Sequence, residues 1–121
     1  MIKNILLVAA GGGIGSAMRF AFYLFYKTQT FPFATLLINV LGSFILGLLM
    51  GMGLREGALR EEYKLLFAVG FCGGFTTFSA FSFENVKLLQ AGKFTLFLLY
   101  VLASVISGIV AAWLGFKITN Q

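Results

Sequence analysis

Four apolar stretches, residues 5–26, 32–53, 65–89 and 94–116, take up most of a 121-residue chain and leave only short polar connections between them. Each is close to the ~20 residues needed to cross the hydrocarbon core of a bilayer. Lipid offers the backbone no hydrogen bonds, so only helices or a closed barrel can span it, and continuous apolar runs of this length select helices. Only 11% of the residues are charged and 60% are hydrophobic, and the mean hydropathy is +0.96, beyond the apolar share of water-soluble domains. The expected fold is an all-α membrane protein with four transmembrane helices in up-down order. They form a single transmembrane domain over residues 1–121, multi-pass in the cell membrane, with the lipid bilayer as its first partner and both termini on one side.

Composition excludes several function classes. The chain has no His and no Asp and a single Cys, Cys72, which removes structural zinc sites and internal disulfides on ligand count. The net charge of +5 comes from nine Lys and Arg scattered singly, so it marks membrane flanks and not a nucleic-acid partner. No constellation supports an enzyme. "GGGIGSA" imitates a nucleotide-binding loop but follows no strand, and position 16 holds Ser where that motif needs Gly. "MIKNILLVAAGGG" has the outline of a signal peptide, yet the apolar pattern resumes through "IGSAMRFAFYLFY" to a span length, so an uncleaved first helix is expected.

Charges at the span ends are nearly balanced. Lys3, Arg55, Arg60, Lys64 and Lys117 fall on the side of the termini, against Lys27, Lys87 and Lys93 on the other. So small a bias suits insertion either way up and makes an antiparallel homodimer conceivable.

Polar and small residues recur at helical spacing within the spans. Helix 1 has Gly12, Gly15, Ser16 and Arg19; helix 2 has Thr35, Asn39, Gly42 and Ser43; helix 4 has Tyr100, Ser104, Ser107 and Gly108. Gly11 with Gly15 and Gly47 with Gly51 form GxxxG pairs, read as close helix packing. Arg19 within a span costs ~3 kcal/mol or more, so it either faces the protein interior or snorkels to the interface. Asn39 lies near mid-span, where its amide can donate two hydrogen bonds and accept others; a purely structural bond to another helix is one reading of it.

The third span holds "GFCGGFTTFSAF". Gly73 and Gly74 weaken a helix where freed backbone must be satisfied by protein, water or an ion. Thr76 and Thr77 suit the cap of a restarted helix, and carbonyls left by the first half make a cation site. Phe78 and Phe81 share a face of the resumed helix, with Ser79 and Ser82 beside them. A phenyl ring has a positive edge, so these two rings either pack in the core or line an anion path.

The segment "GFCGGFTTFSAF" closely resembles the signature of the Fluc, or CrcB-like, fluoride channels. "GGGIGSAMRF", "PFATLLIN" and "YVLASVISG" fall where other motifs of that family lie, so the resemblance spans the chain. It implies a fluoride-selective channel for passive export, built as an antiparallel dual-topology homodimer with two pathways and a structural sodium ion on the dimer axis. By position, Phe78 and Phe81 would line the pathway, Asn39 would donate to fluoride, and Arg19 would draw anions into the vestibule. Thr35, Tyr100 and Ser104 would be polar pathway residues, with Glu84 near one end. Gly73 and Thr76 would offer backbone carbonyls to sodium. Ala80, Ala34, Ser16 and Gly108 depart from the family's usual residues. A rival four-helix class, the small drug/proton antiporters, needs a carboxylate deep in the first helix; this helix carries Arg19 instead. A non-transporting scaffold would need the glycine motifs alone.

Overall fold

The computed structural model describes residues 1–26, 31–53, 57 and 59–120. The elements in order are α1 (Ile2–Phe25), α2 (Phe33–Gly53), α3 (Glu61–Tyr63), a π-helical stretch (Lys64–Cys72), α4 (Gly73–Phe75), α5 (Phe78–Gln90) and α6 (Phe94–Thr119). Four helical spans, Ile2–Phe25, Phe33–Gly53, Glu61–Gln90 and Phe94–Thr119, are long and apolar enough to cross a membrane, and the described residues contain no strand. The chain is a multi-pass membrane protein.

The helices reach past the apolar runs, because backbone pairing continues until a residue leaves helical geometry. Thus α1 begins at Ile2 and α6 continues to Thr119. Pro32 stands just ahead of α2 and its carbonyl accepts from the Leu36 N–H at 3.3 Å, a placement that suits a residue with fixed φ and no N–H. Of the connection over residues 54–64, the part with Glu61 and Glu62 joins the third span as its first turn. There two carboxylates face the positive end of the helix, and Glu62 pairs with Lys3 and Arg60 at 3.8 and 3.4 Å. Lys27 and Arg55 lie outside the described residues.

Two parallel pairs organise the bundle. The chain numbers rise together along α1 and the third span: Gly11 meets Leu66 and Phe71, and Gly15 meets Phe71 and Phe75. They also rise together along α2 and α6, where Gly47 meets Ala112 and Phe116 and Gly51 meets Phe116 and Thr119. A Cβ on Gly15 would overlap the Phe71 carbonyl oxygen, and one on Gly47 that of Ala112. Both GxxxG pairs therefore bring backbones together inside one chain, as small residues do where hydrocarbon supplies no hydrophobic drive between helices. Thr119 fastens the far end, donating to the Leu48 carbonyl at 2.7 Å.

Outward faces carry large apolar side chains such as Phe20, Leu102, Ile109 and Trp113, the surface a lipid-facing helix presents. Lys117 lies over the Trp113 ring at 4.9 Å and Lys87 over the Phe83 ring at 5.2 Å. Both follow the interfacial pattern in which a long cationic side chain reaches past an aromatic body. At the centre Thr35, Ile38 and Tyr100 are wholly inaccessible. Two of these three carry hydroxyls, and a polar group at that depth must find a partner.

Candidate functional site

Between α4 and α5 the backbone of Thr76 and Thr77 is extended, at φ −80°, ψ 156° and φ −149°, ψ 121°. Gly73 and Gly74 are themselves helical, so the departure from helical geometry falls three residues beyond the first glycine. The physical cause lies in the side chains that take over the backbone groups around it. Asn39 on α2 accepts from the Thr77 N–H through Oδ1 at 2.8 Å and donates Nδ2 to the Thr77 carbonyl at 3.1 Å. Thr77 caps α5, its Oγ1 accepting from the Ala80 N–H at 3.2 Å, the usual service of a Thr at that position. Thr76 donates Oγ1 back to the Cys72 carbonyl at 2.8 Å.

These diversions leave a definite set of carbonyls. In an unbroken helix the Thr77 N–H would serve Gly73, the Phe78 N–H would serve Gly74 and the Ala80 N–H would serve Thr76. The first goes to Asn39 and the third to the Thr77 hydroxyl. The Gly74 carbonyl instead receives Arg19 Nε at 3.1 Å and Ser16 Oγ at 3.4 Å from α1. The carbonyls of Gly73 and Thr76 are thus deprived of their ladder donors. A cleft of about 460 Å³ runs beside them, lined also by Asn39, Ser43, Thr77 and Phe78.

A second polar cluster lies beyond Phe81. Tyr100 donates to Glu84 Oε1 at 2.7 Å, and Thr35 donates to Oε2 at 2.7 Å. Because the single Thr35 proton is committed to the carboxylate, the 2.9 Å contact between Tyr23 and Thr35 has Tyr23 as its donor. Hydrogen bonds to a carboxylate are the short, strong kind, and this chain of hydroxyls crosses from α1 through α2 to α5 and α6.

Aromatic rings join the two clusters. The Phe78 and Phe81 centroids are 5.7 Å apart, and Phe81 and Tyr100 are 5.0 Å apart, both tilted. Phe81 is half-buried, whereas Phe78 is 77% exposed on the single chain. The sequence-predicted positions therefore divide. Asn39, Gly73, Thr76 and Phe78 meet at the first cleft; Thr35, Glu84, Tyr100 and Phe81 meet at the second cluster. Arg19 is joined to the first through Gly74. The Ser79 hydroxyl lies 3.2 Å from that of Thr77, its one side-chain partner among the described residues. Ser82 is half-buried outside both groups. Ser104 has its Oγ buried with no partner among the described residues.

Tyr23 and Asn85 belong to the structure but not to that set. Tyr23 continues the Gly12, Ser16, Arg19 stripe by one more helical turn, a signal visible in the spacing. Asn85 is buried, donates to the Phe81 carbonyl at 3.0 Å and has no partner for its Oδ1 among the described residues; its spacing of four from Phe81 is the only trace in the sequence.

Among known proteins, the chain is 46% identical to a fluoride-specific ion channel FluC of Azobacteroides pseudotrichonymphae, covering 99% of this chain and 98% of that protein. It is 39% identical to the FluC of Flavobacterium psychrophilum over 99% of both chains. It is 42% identical to that of Thermus thermophilus, over 97% of this chain and 94% of the relative. The family model described as CrcB-like protein, Camphor Resistance (CrcB), matches residues 6–116. The chain belongs to the CrcB-like protein family.

Proposed function

We propose that the protein is a fluoride-selective channel that lets fluoride leave passively across the membrane, and not an enzyme. The observation that carries this reading is the tilted aromatic run Phe78–Phe81–Tyr100, with the Asn39 amide at one end and the Glu84 hydroxyl chain at the other. Fluoride is small and strongly hydrated, so a path must replace its water with several donors without a fixed charge that would trap it. Ring edges, an amide N–H and hydroxyls supply such donors. Asn39 uses one Nδ2 proton on Thr77 and has a second to offer. Arg19, held by the Gly74 carbonyl at half-burial, would draw anions toward that end. Ser79 adds its hydroxyl beside Thr77, and Ser82 on α5 and Ser104 on α6 would serve as further pathway hydroxyls.

We further read the extended Thr76–Thr77 pair as a functional interruption of the third membrane helix and the carbonyls of Gly73 and Thr76 as ligands for a structural sodium ion. The residues fit such an ion. Both carbonyls have lost their helical donors, both residues line one cleft, and nothing stands within 4 Å of where a Gly73 side chain would point. When bound, the ion would supply fixed positive charge to that backbone. An antiparallel dual-topology homodimer is the assembly that suits these features. Phe78, exposed on one chain, would then be covered by a second copy, and the near-even Lys and Arg count at the two ends permits both orientations.

A fluoride electrode over proteoliposomes loaded with fluoride tests the channel reading. Rapid, protein-dependent fluoride efflux with little chloride efflux is expected. Efflux no faster than from empty vesicles, or chloride leaving at the same rate, overturns it.

A further inference from the structure

We propose that Lys87 and Lys93 form an anion-collecting mouth above Glu84, a site for small monovalent inorganic anions at the end of the chain where α5 turns into α6. The proposal deepens the channel reading and rests on it. A cleft of about 350 Å³ opens at this end, and its lining includes Tyr23, Pro32, Glu84, Lys87, Ala91 and Lys93. It is separate from the cleft at Asn39, Gly73 and Phe78.

Three features make these lysines more than interfacial anchors. First, their backbone positions are fixed. Gly92, at φ +74°, reverses the chain, the Lys93 N–H closes onto the Leu88 carbonyl at 2.9 Å, and Lys93 becomes the N-terminal flank of α6. Second, neither ammonium is neutralised by a carboxylate among the described residues, whose ion pairs involve only Lys3, Arg60 and Glu62. Glu84 lines the same cleft, but both its oxygens accept from Thr35 and Tyr100. Third, Glu84 at the inner wall would repel an approaching anion if it stood alone. Two free cations at a cleft with low-dielectric walls reverse that field and concentrate anions where the hydroxyl chain begins. Lys87 lines the cleft, and its Nζ lies over the ring of Phe83, which is not part of the lining.

A collecting field differs from a structural role in its dependence on salt. It extends ~10 Å at 0.1 M ionic strength and only ~3 Å at 1 M. In vesicles of phosphatidylcholine alone, the Lys87→Gln, Lys93→Gln double variant is expected to carry fluoride on the order of 3- to 10-fold more slowly than the unaltered protein at about 0.01 M ionic strength. The two should converge near 1 M. Where the unaltered protein conducts fluoride, equal rates at low salt, or a deficit that persists unchanged at high salt, overturn the proposal. A deficit that appears only with anionic lipid assigns the lysines to headgroup phosphates and also overturns it.

A second measurement needs no transport. In a Cys72→Ser background, Ala91→Cys places a thiol in the cleft, and its reaction rates with an anionic and a cationic thiosulfonate report the local potential. Replacing both lysines by Gln is expected to lower the anionic-to-cationic rate ratio on the order of 10-fold at low salt. An unchanged ratio overturns the mouth even if fluoride flows, whereas absent flux with a shifted ratio rejects the channel reading and leaves the anion site standing.

Discussion

Asn39 and Thr77 hold each other through both ends of one amide, Oδ1 to the Thr77 N–H at 2.8 Å and Nδ2 to the Thr77 carbonyl at 3.1 Å. The side chain copies the pairing of a neighbouring strand and supplies to an extended residue what a helix would otherwise give it. This ties α2 to the start of α5 and fixes where Phe78 projects.

Asn39→Ala should therefore leave a peptide N–H and C=O unpaired inside the bundle. A loss of about 2 kcal/mol is expected, since each stranded group costs ~1–3 kcal/mol and some relaxation offsets it. Unfolding by a denaturing detergent measures the loss, and hydrogen exchange at the Thr77 amide should quicken. Unaltered stability together with unaltered exchange contradicts the role given to Asn39.

The glycine contacts allow a paired comparison within one helix. Gly15→Ala sets a methyl group against the Phe71 carbonyl and the Phe75 N–H, while around Gly13 there is open space. Gly15→Ala should destabilise by about 1–3 kcal/mol through overpacking. Gly13→Ala should be neutral or stabilise by up to ~1 kcal/mol through helix propensity. The same unfolding assay separates them, and equal effects would remove the argument for backbone contact between α1 and the third span.

How much of this was legible in the sequence depends on what each feature obeys. Span number and approximate limits follow from apolar run length, which the bilayer enforces. Helical spacing of polar residues singles out Thr35 and Tyr100, whereas Glu84, which joins them, comes only from the family resemblance. The Gly73–Gly74 pair marks the right neighbourhood, but the two residues that leave helical geometry are Thr76 and Thr77. Their choice depends on Asn39, Arg19 and Ser16 from other helices, partners that local propensity does not contain. The π-helical stretch Lys64–Cys72 has no compositional mark, because a wider turn in the ladder is decided by contacts and not by residue type. Tyr23 was within reach of the spacing argument. The unpaired Ser104 Oγ was not, since burial of one atom depends on how α6 rotates against α2.

Glu84→Gln tests the hydroxyl chain. Glutamine offers one acceptor oxygen where the carboxylate offers two, so either Tyr100 or Thr35 must face an NH₂ group. Fluoride efflux should fall about 10-fold, equivalent to ~1.4 kcal/mol and within the cost of one stranded buried donor. Tyr23→Phe removes only the outermost donor and should cost less than Glu84→Gln in the same vesicles. A reversed order would mean that the chain does not converge on Glu84.

Sodium can be tested through stability alone. An ion bound to the folded assembly and not to the unfolded chain stabilises it by mass action. The detergent-solubilised protein should resist thermal unfolding better as sodium replaces a bulky organic cation at constant ionic strength. A midpoint independent of sodium removes the proposed role of the Gly73 and Thr76 carbonyls.

The most direct measurement is fluoride efflux from proteoliposomes carrying Phe78→Ile. Isoleucine keeps apolar bulk at this position and removes the ring edge. The expected result is efflux reduced at least about 10-fold, more than 1.4 kcal/mol on the barrier, with an unchanged elution profile on size exclusion. Efflux equal to that of the unaltered protein would contradict the assignment of the aromatic run to the fluoride path.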